Sequence, residues 1–348
     1  MMNMDVMRRL VAEAETGDCA MPTAHAALSH WDFDSGTLKD LRYSANAIYT
    51  FRQYGAPRIL RLSHAGDGVH ARTRAHIEAE LDFILYLKKQ GIEAMSPLPS
   101  KSGAYVEIID SPYAHFHAAV FERAPGDLFL QHDKLSEAQL AAWGRTVATV
   151  HNAAEAYVAP SAHRRPGWQE IVDMVTAWLP AQEHNARRFL QEAEAWLAGL
   201  PTGPEDYGLI HWDFCIDNLA WEEEEPQTGR YHIFDFDDAA YFWYVADLAF
   251  ALDDVLDMPP AQRDRMMDTF LSGYRAIRPA ISPWLDEIPR FVKFMYIFKV
   301  ARVMHALAPA NPALDPPWMA KLRIKFEKWF AEMRELFADT FITTQPTR

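Results

Sequence analysis

Two rhythms of apolar and polar positions divide the chain. Between residues 41 and 122 short apolar runs alternate with turn residues, and those at 47–51, 59–62, 105–109 and 116–121 predict strands. One helical stretch interrupts them at 73–90, with Ile77, Leu81 and Ile84 on a single face and Gly91 placed to stop it. From Ser136 onward the apolar period lengthens to that of helices. Ser136 and Gln139 form a capping box ahead of Leu140, Trp143, Val147 and Val150. Further helices are expected over 168–183, 185–198, 245–256, 260–275, 283–307 and 316–338. The most apolar stretch, 291–307, is interrupted by Lys293, Lys299, Arg302 and His305, which predicts a buried helix and no membrane span.

Inside the helical half one segment keeps the strand rhythm. Residues 207–210 are apolar and lead into the octapeptide HWDFCIDN at 211–218, and 219–221 lead out of it. Residues 222–230 are polar and contain Pro226 and Gly229, which predicts a hairpin tip carrying the four solvated glutamates 222–225. Residues 231–236 return as an extended run. The expected fold class is α+β and bilobal. A small antiparallel-sheet lobe at 1–122, with an N-terminal helical extension, precedes a larger helical lobe at 123–348 that carries the hairpin. The cleft between lobes is the natural ligand site.

The chemistry sits on that hairpin. Asp213 and Asn218 form an H-x-D-x-x-x-x-N loop, and Asp235 follows at the end of the returning run. Phosphoryl transfer needs one carboxylate near the hydroxyl to be phosphorylated, and an amide oxygen with another carboxylate to hold Mg²⁺ on the nucleotide. Hard cations of this kind prefer a few oxygens plus phosphate and water. Each residue alone is an ordinary turn or cap residue; the ordered set on a hairpin points to kinase-type chemistry. In the N-terminal half Arg61 is central in the second strand, and Glu80, unlike Glu78, falls on the inward face of the helix. A carboxylate there needs a partner, since burying an unpaired charge is costly, and Arg61 is the candidate.

Composition narrows the classes. The 348 residues suit two modest lobes with ample core. A net charge of −14 argues against a nucleic-acid partner and is compatible with a cationic substrate, although surface acidity for solubility accounts for it better. Cys19 and Cys215, far apart and in no metal spacing, suggest a reducing, cytoplasmic setting. The first fifteen residues are too charged for a signal-peptide core.

From about Ala45 to about Leu307 the sequence resembles the aminoglycoside phosphotransferase and choline kinase-like family, a branch of the protein kinase-like fold. The resemblance implies that Asp213 is the catalytic base and that Asn218 and Asp235 bind Mg²⁺. It places Arg61 where the family's phosphate-binding lysine usually stands, with Glu80 as its ion-pair partner. Val120, Phe121, Glu122 and Arg123 correspond to the hinge that receives the purine, of ATP or of GTP. His211 begins the catalytic loop, His151 is structural, and Asp247 braces the loop from the start of the next helix. No glycine-rich loop is present; Ser44 and Asn46 occupy its place and are expected near the phosphates. Trp212 stands where a glycine is common. Asp217 and Asp238 are candidates for recognising amines of a small-molecule hydroxyl acceptor. Tyr241 and Trp243 belong to an aromatic cluster that either lines the acceptor pocket around a cation or packs as core. A protein serine/threonine kinase and a non-catalytic nucleotide-binding regulator are the other readings of the same fold.

Overall fold

The computed structural model describes residues 2–15, 21–66, 72–128, 132–160, 164–225, 228–308 and 310–342. Two short helices open the chain, α1 (Met4–Ala14) and α2 (Pro22–Leu28). Then come β1 (Lys39–Tyr43), β2 (Ala47–Gln53), β3 (Ala56–His64), α3 (Arg74–Lys89), β4 (Pro97–Leu98), β5 (Glu107–Asp110) and β6 (His115–Glu122). The strands make one antiparallel sheet in the order β1-β2-β3-β6-β4, with β5 also on β6. The β2–β3 turn is Tyr54-Gly55, both at positive φ (52° and 78°), which matches the twist of a two-residue hairpin. Asp34 fixes it by accepting both of their backbone N–H groups. α3 starts on a Thr73 side-chain cap and ends two residues ahead of Gly91, whose φ of 81° only glycine adopts freely.

The C-terminal part is mainly helical. A short β7 (Asp127–Leu128) precedes α4 (Glu137–Glu155), α5 (Trp168–Trp178) and α6 (His184–Leu197). The expected Ser136–Gln139 capping box is formed. After β8 (Tyr207–Ile210) come the hairpin β9 (Leu219–Glu225) and β10 (Thr228–Ile233), then β11 (Ala240–Trp243). Helices α7 (Tyr244–Leu256), α8 (Pro260–Arg275), α9 (Ile288–Leu307) and α10 (Pro317–Ala338) complete the order. α4 and α8 approach closely at two glycines. A Cβ on Gly144 would lie 2.0 Å from the Phe270 carbonyl oxygen, and one on Gly273 as close to that of Ala141. This contact seats α4 beneath the catalytic loop.

Three expectations need correction. The hairpin tip is far shorter than 222–230, because β9 runs to Glu225 and β10 starts at Thr228. The glutamates are strand residues held across the ladder: Arg230 pairs with Glu222 and Glu224, and His232 with Glu222. Pro226 lies outside the described residues, and Gly229 sits within β10. The returning strand stops at Ile233, so Asp235 lies beyond it. α9 begins at Ile288, since Pro279 and Pro283 confine 279–287 to 3₁₀ turns. Among the described residues no helix is long and apolar enough to cross a membrane.

Candidate active site

The catalytic loop is held from below by one carboxylate. Asp247, fully buried in the first turns of α7, accepts the backbone N–H of His211 (2.9 Å) and of Trp212 (2.8 Å). His151 of α4 donates to it from Nε2 (3.0 Å) and takes the Tyr274 hydroxyl on Nδ1 (2.8 Å). Burial lowers the His151 pKa, so the ring is neutral and acts as a fixed strut. The bracing role expected for Asp247 and the structural role expected for His151 therefore have a common geometry.

Trp212 has φ 66°, the left-handed region where a bulky residue is an outlier. Such strain costs on the order of 1–3 kcal/mol. It is offset by burial of the indole against Phe242, Phe250 and Phe298, at ring distances of 4.3, 5.3 and 5.5 Å. A position that suits glycine thus carries tryptophan because the pocket beneath it is aromatic.

Asp213 and Asn218 are in direct contact. The Asn218 amide Nδ2 donates to the Asp213 carbonyl (2.8 Å) and to its Oδ2 (3.0 Å). With the amide nitrogen so engaged, Oδ1 of Asn218 is presented as an acceptor, the orientation a hard cation needs. Burial raises the Asp213 pKa. Asn218 O accepts the Phe234 N–H (3.2 Å), and His211 Nε2 donates to the Phe234 carbonyl (3.0 Å). Both bonds deliver the next residue, Asp235, to the same cleft. Asp235 has φ 66°, which aspartate tolerates better than most residues. Its side chain opens to the cleft, yet the enclosing walls and the neighbouring Asp237 raise its pKa well above the ordinary value. A carboxylate in this position calls for a cation.

On the nucleotide side Arg61 and Glu80 meet as a bidentate pair at 2.7 and 2.8 Å, with side chains only 4% and 1% exposed. The Arg61 guanidinium also lies over the Phe121 ring (5.0 Å), and its Nε has no partner. Glu80→Ala would leave that guanidinium buried and uncompensated. The expected cost is about 3–5 kcal/mol, read as a lowered thermal midpoint without nucleotide. Phe121 and Glu122 end β6 beside the cleft, where the Glu122 N–H is already donated to Ser96 O. Ser44 closes a tight turn onto Asn46 O (2.9 Å).

The structure redirects several substrate candidates. The Asn46 side chain is committed to protein partners: it accepts from Ser63 (2.9 Å) and Arg72 (3.0 Å) and donates to Asp237 (2.6 Å). Asp238 lies between Arg72 and Arg302, which supply its counter-charge, and it lines the second cavity described below, not the one at Asp213. Trp243 is fully buried, donates to Pro201 O (2.6 Å) and packs on Tyr207, so it is core and no pocket wall. Tyr241 is half-buried on β11 and lines neither cavity described below.

Sequence reasoning missed the link between the two halves. Burial alone would raise the Asp237 carboxyl, but Arg72, with Arg61 and Arg302, outweighs it and holds the group well below the usual range. Arg72 donates to Asp237 (2.7 Å) and Asp238 (3.1 Å), and Arg165 donates to the carbonyls of Asp237, Ala239 and His76. The segment after Asp235 is thereby tied to the N-terminal sheet and α3. A buried aspartate two residues beyond Asp235 was the available signal. Nothing in the spacing pointed to Arg72.

Two cavities flank this centre. One, of about 290 Å³, is lined by Asp213 and Asp217 with His132, Phe250, Asp253, Asp254 and Lys299, so Asp217 shares a cavity with Asp213. Asp253 and Asp254 were not foreseen; they reach the loop only because α7 folds back over it. The other, of about 320 Å³, places Arg72, Arg165 and Arg302 opposite Met174, Trp178 and Phe298.

A braced loop carrying Asp213 and Asn218, with Asp235 beside them and an ion pair across the cleft, defines a phosphotransferase of the protein kinase-like fold. The model of the phosphotransferase enzyme family, APH, matches residues 44–284, more than half of the chain. The chain belongs to that family, and is a kinase with an alcohol group as acceptor. Among curated proteins it is 25% identical over 295 residues to the amicoumacin kinase of Bacillus subtilis (strain 168), covering 82% of this chain and 84% of that one. Among solved structures it is similar in fold to amicoumacin kinase hAmiN in complex with AMP-PNP, Ca²⁺ and Ami. That match has 23% identity and a TM-score of 0.77 over 98% of both chains. A microcompartment-associated aminopropanol kinase matches with 22% identity and a TM-score of 0.65, over 89% of this chain and 98% of its own.

Proposed function

We propose that the protein transfers the γ-phosphoryl group of ATP to a hydroxyl of an amine-bearing small molecule, with Mg²⁺ as the metal. The observation that carries this is the cavity at Asp213, whose lining adds Asp217, Asp253 and Asp254 to that carboxylate against one lysine, Lys299 beside Asp253, and one histidine, His132 beside Asp254. Carboxylates so placed suit an ammonium group and repel anions. An amino-alcohol, an amino sugar of the aminoglycoside kind or an amino acid meets that requirement, and the names of the relatives point the same way. The compact cavity favours such molecules over an extended peptide, as a protein serine/threonine kinase would need.

The residues present fit a metal–nucleotide complex. Asn218 Oδ1 and Asp235 are the oxygens that would hold Mg²⁺. Among the described residues no three His, Cys, Asp or Glu are grouped to bind a metal by themselves, so phosphate and water complete the shell. When bound, the metal neutralises charge on the phosphates. Asp213 orients the acceptor hydroxyl and takes its proton, a role that its raised pKa assists. Arg61, fixed by Glu80, offers its charge to the phosphates, and Ser44 offers backbone groups from the loop beside them. Residues 120–123 would receive the purine, of ATP or GTP, through backbone groups other than the Glu122 N–H. In this reading residues 1–122 form the nucleotide lobe and 123–348 the acceptor lobe, in a cytoplasmic protein.

A coupled ADP-release screen tests the assignment, using amino-alcohols, amino sugars, amino acids, neutral polyols and serine peptides. Turnover is expected with amine-bearing alcohols. Turnover confined to neutral polyols or to peptides would contradict it.

A further inference from the structure

Lys299 is a cation that the site described so far leaves unused. It projects from α9 into the cavity that holds Asp213, and is the one lysine or arginine among that cavity's described lining residues. Its Nζ lies 3.6 Å from Asp253 Oδ2 and 5.3 Å from the Phe250 ring centroid. Neither contact is a hydrogen bond. Asp253 is meanwhile held by the Tyr296 hydroxyl at 2.6 Å. An ammonium group has three donors, and about a third of this side chain is open to the cavity, at 34% exposure. The arginines near the cleft are engaged: Arg61 with Glu80, Arg72 with Asp237 and Asp238, Arg302 with Asp238, and Arg165 with the carbonyls of His76, Asp237 and Ala239.

Transfer moves negative charge toward the acceptor. The bond between the γ-phosphorus and the bridging oxygen of ATP breaks while a bond from phosphorus to the acceptor oxygen forms. The electron pair leaves with ADP, and the hydroxyl proton passes to Asp213. The three equatorial oxygens of the moving group carry the charge meanwhile. They arrive among Asp213, Asp217, Asp253 and Asp254, carboxylates of the same sign, with His132 facing Asp254. A donor held in place and aimed at developing charge stabilises it without reorganisation at the moment of transfer.

Resting on the proposed phosphotransfer, we propose that Lys299 donates to the transferring phosphoryl group from the acceptor side and stays protonated throughout. Arg61, paired with Glu80, then offers its charge from the N-terminal sheet, and Lys299 offers its own from α9. The same cavity thus recognises a cationic acceptor with aspartates and receives an anionic group with one lysine.

The probe is ADP with Mg²⁺ and aluminium fluoride, a mimic of the planar phosphoryl group, titrated against the full chain by calorimetry. The wild type is expected to bind ADP more tightly when aluminium fluoride is present. Lys299→Met should lose about ten- to a hundredfold of that gain, with affinity for ADP and Mg²⁺ alone unchanged. Lys299→Arg should recover part of it. With an acceptor found by the screen, Lys299→Met should lower kcat by a similar factor and leave the acceptor KM near its wild-type value. Thermal midpoints and the polar, uncharged Lys299→Gln separate these effects from misfolding. The inference is overturned if Lys299→Met keeps the full gain, or if adding Asp253→Asn restores it, since the lysine would then only balance that aspartate. A wild type that shows neither the gain nor ADP release with any acceptor overturns the phosphotransfer reading as well.

Discussion

Asp235→Asn is expected to abolish transfer, by about 10³-fold or more, while leaving the nucleotide-free protein at least as stable as the wild type. Loss of activity follows from removing one of the two oxygens that would hold the metal. The stability effect has a separate cause. Burial and the nearby Asp237 raise the Asp235 pKa, so its ionised form is disfavoured by folding. An acid with a raised folded pKa stabilises only as pH falls through that pKa, and costs stability above it. At neutral pH the neutral amide removes that cost. Asparagine also tolerates the left-handed backbone at φ 66° that this position requires. Two measurements check the prediction: the Mg²⁺ dependence of ATP affinity, which should vanish, and the thermal midpoint, which should hold or rise. A variant that is both inactive and markedly less stable would show that Asp235 serves the fold instead.

Asp213→Ala is expected to lower kcat by about 10²–10⁴-fold, the range for loss of a positioned proton acceptor. The loop should survive, because Asp247 holds it through backbone N–H groups of His211 and Trp212 and uses no atom of the Asp213 side chain. Nucleotide and Mg²⁺ affinity should accordingly stay near wild-type values. Steady-state kinetics alongside nucleotide titration check both halves of the prediction. Unchanged turnover would end the assignment of Asp213 as base.

The parts of the site that were legible in the sequence share one property: each lies within a local element whose own pattern exposes it. Asp213 and Asn218 lie on the loop that enters the β9–β10 hairpin and Asp235 just beyond its exit, so the return of one hairpin brings them together. Arg61 and Glu80 were found because a charge on an apolar strand or helix face needs a partner, and the bidentate pair follows. What stayed hidden depends on packing between distant segments. Asp253 and Lys299 meet at the cavity beside Asp213 only through the docking of α7 on α9. Arg72 reaches Asp237 and Asp238 from a loop with no periodic pattern to mark it. The aromatic residues after Asp238 misled for the same reason. Trp243 is apolar on either reading, and only the fold shows that it faces Tyr207 and the core. Trp212 shows the converse: an unsuitable residue at a strained position is explained by an aromatic pocket built from β11, α7 and α9.

The central claim is that Asp213 directs an alcohol onto the γ-phosphoryl group of a metal-bound nucleotide. Mass spectrometry of an amine-bearing alcohol incubated with ATP, Mg²⁺ and enzyme tests it most directly. The account predicts a single phosphate on the acceptor's hydroxyl with the wild type and none, over the same interval, with Asp213→Ala. Phosphorylated product appearing at the wild-type rate with Asp213→Ala, or phosphate attached to the amine, would contradict it.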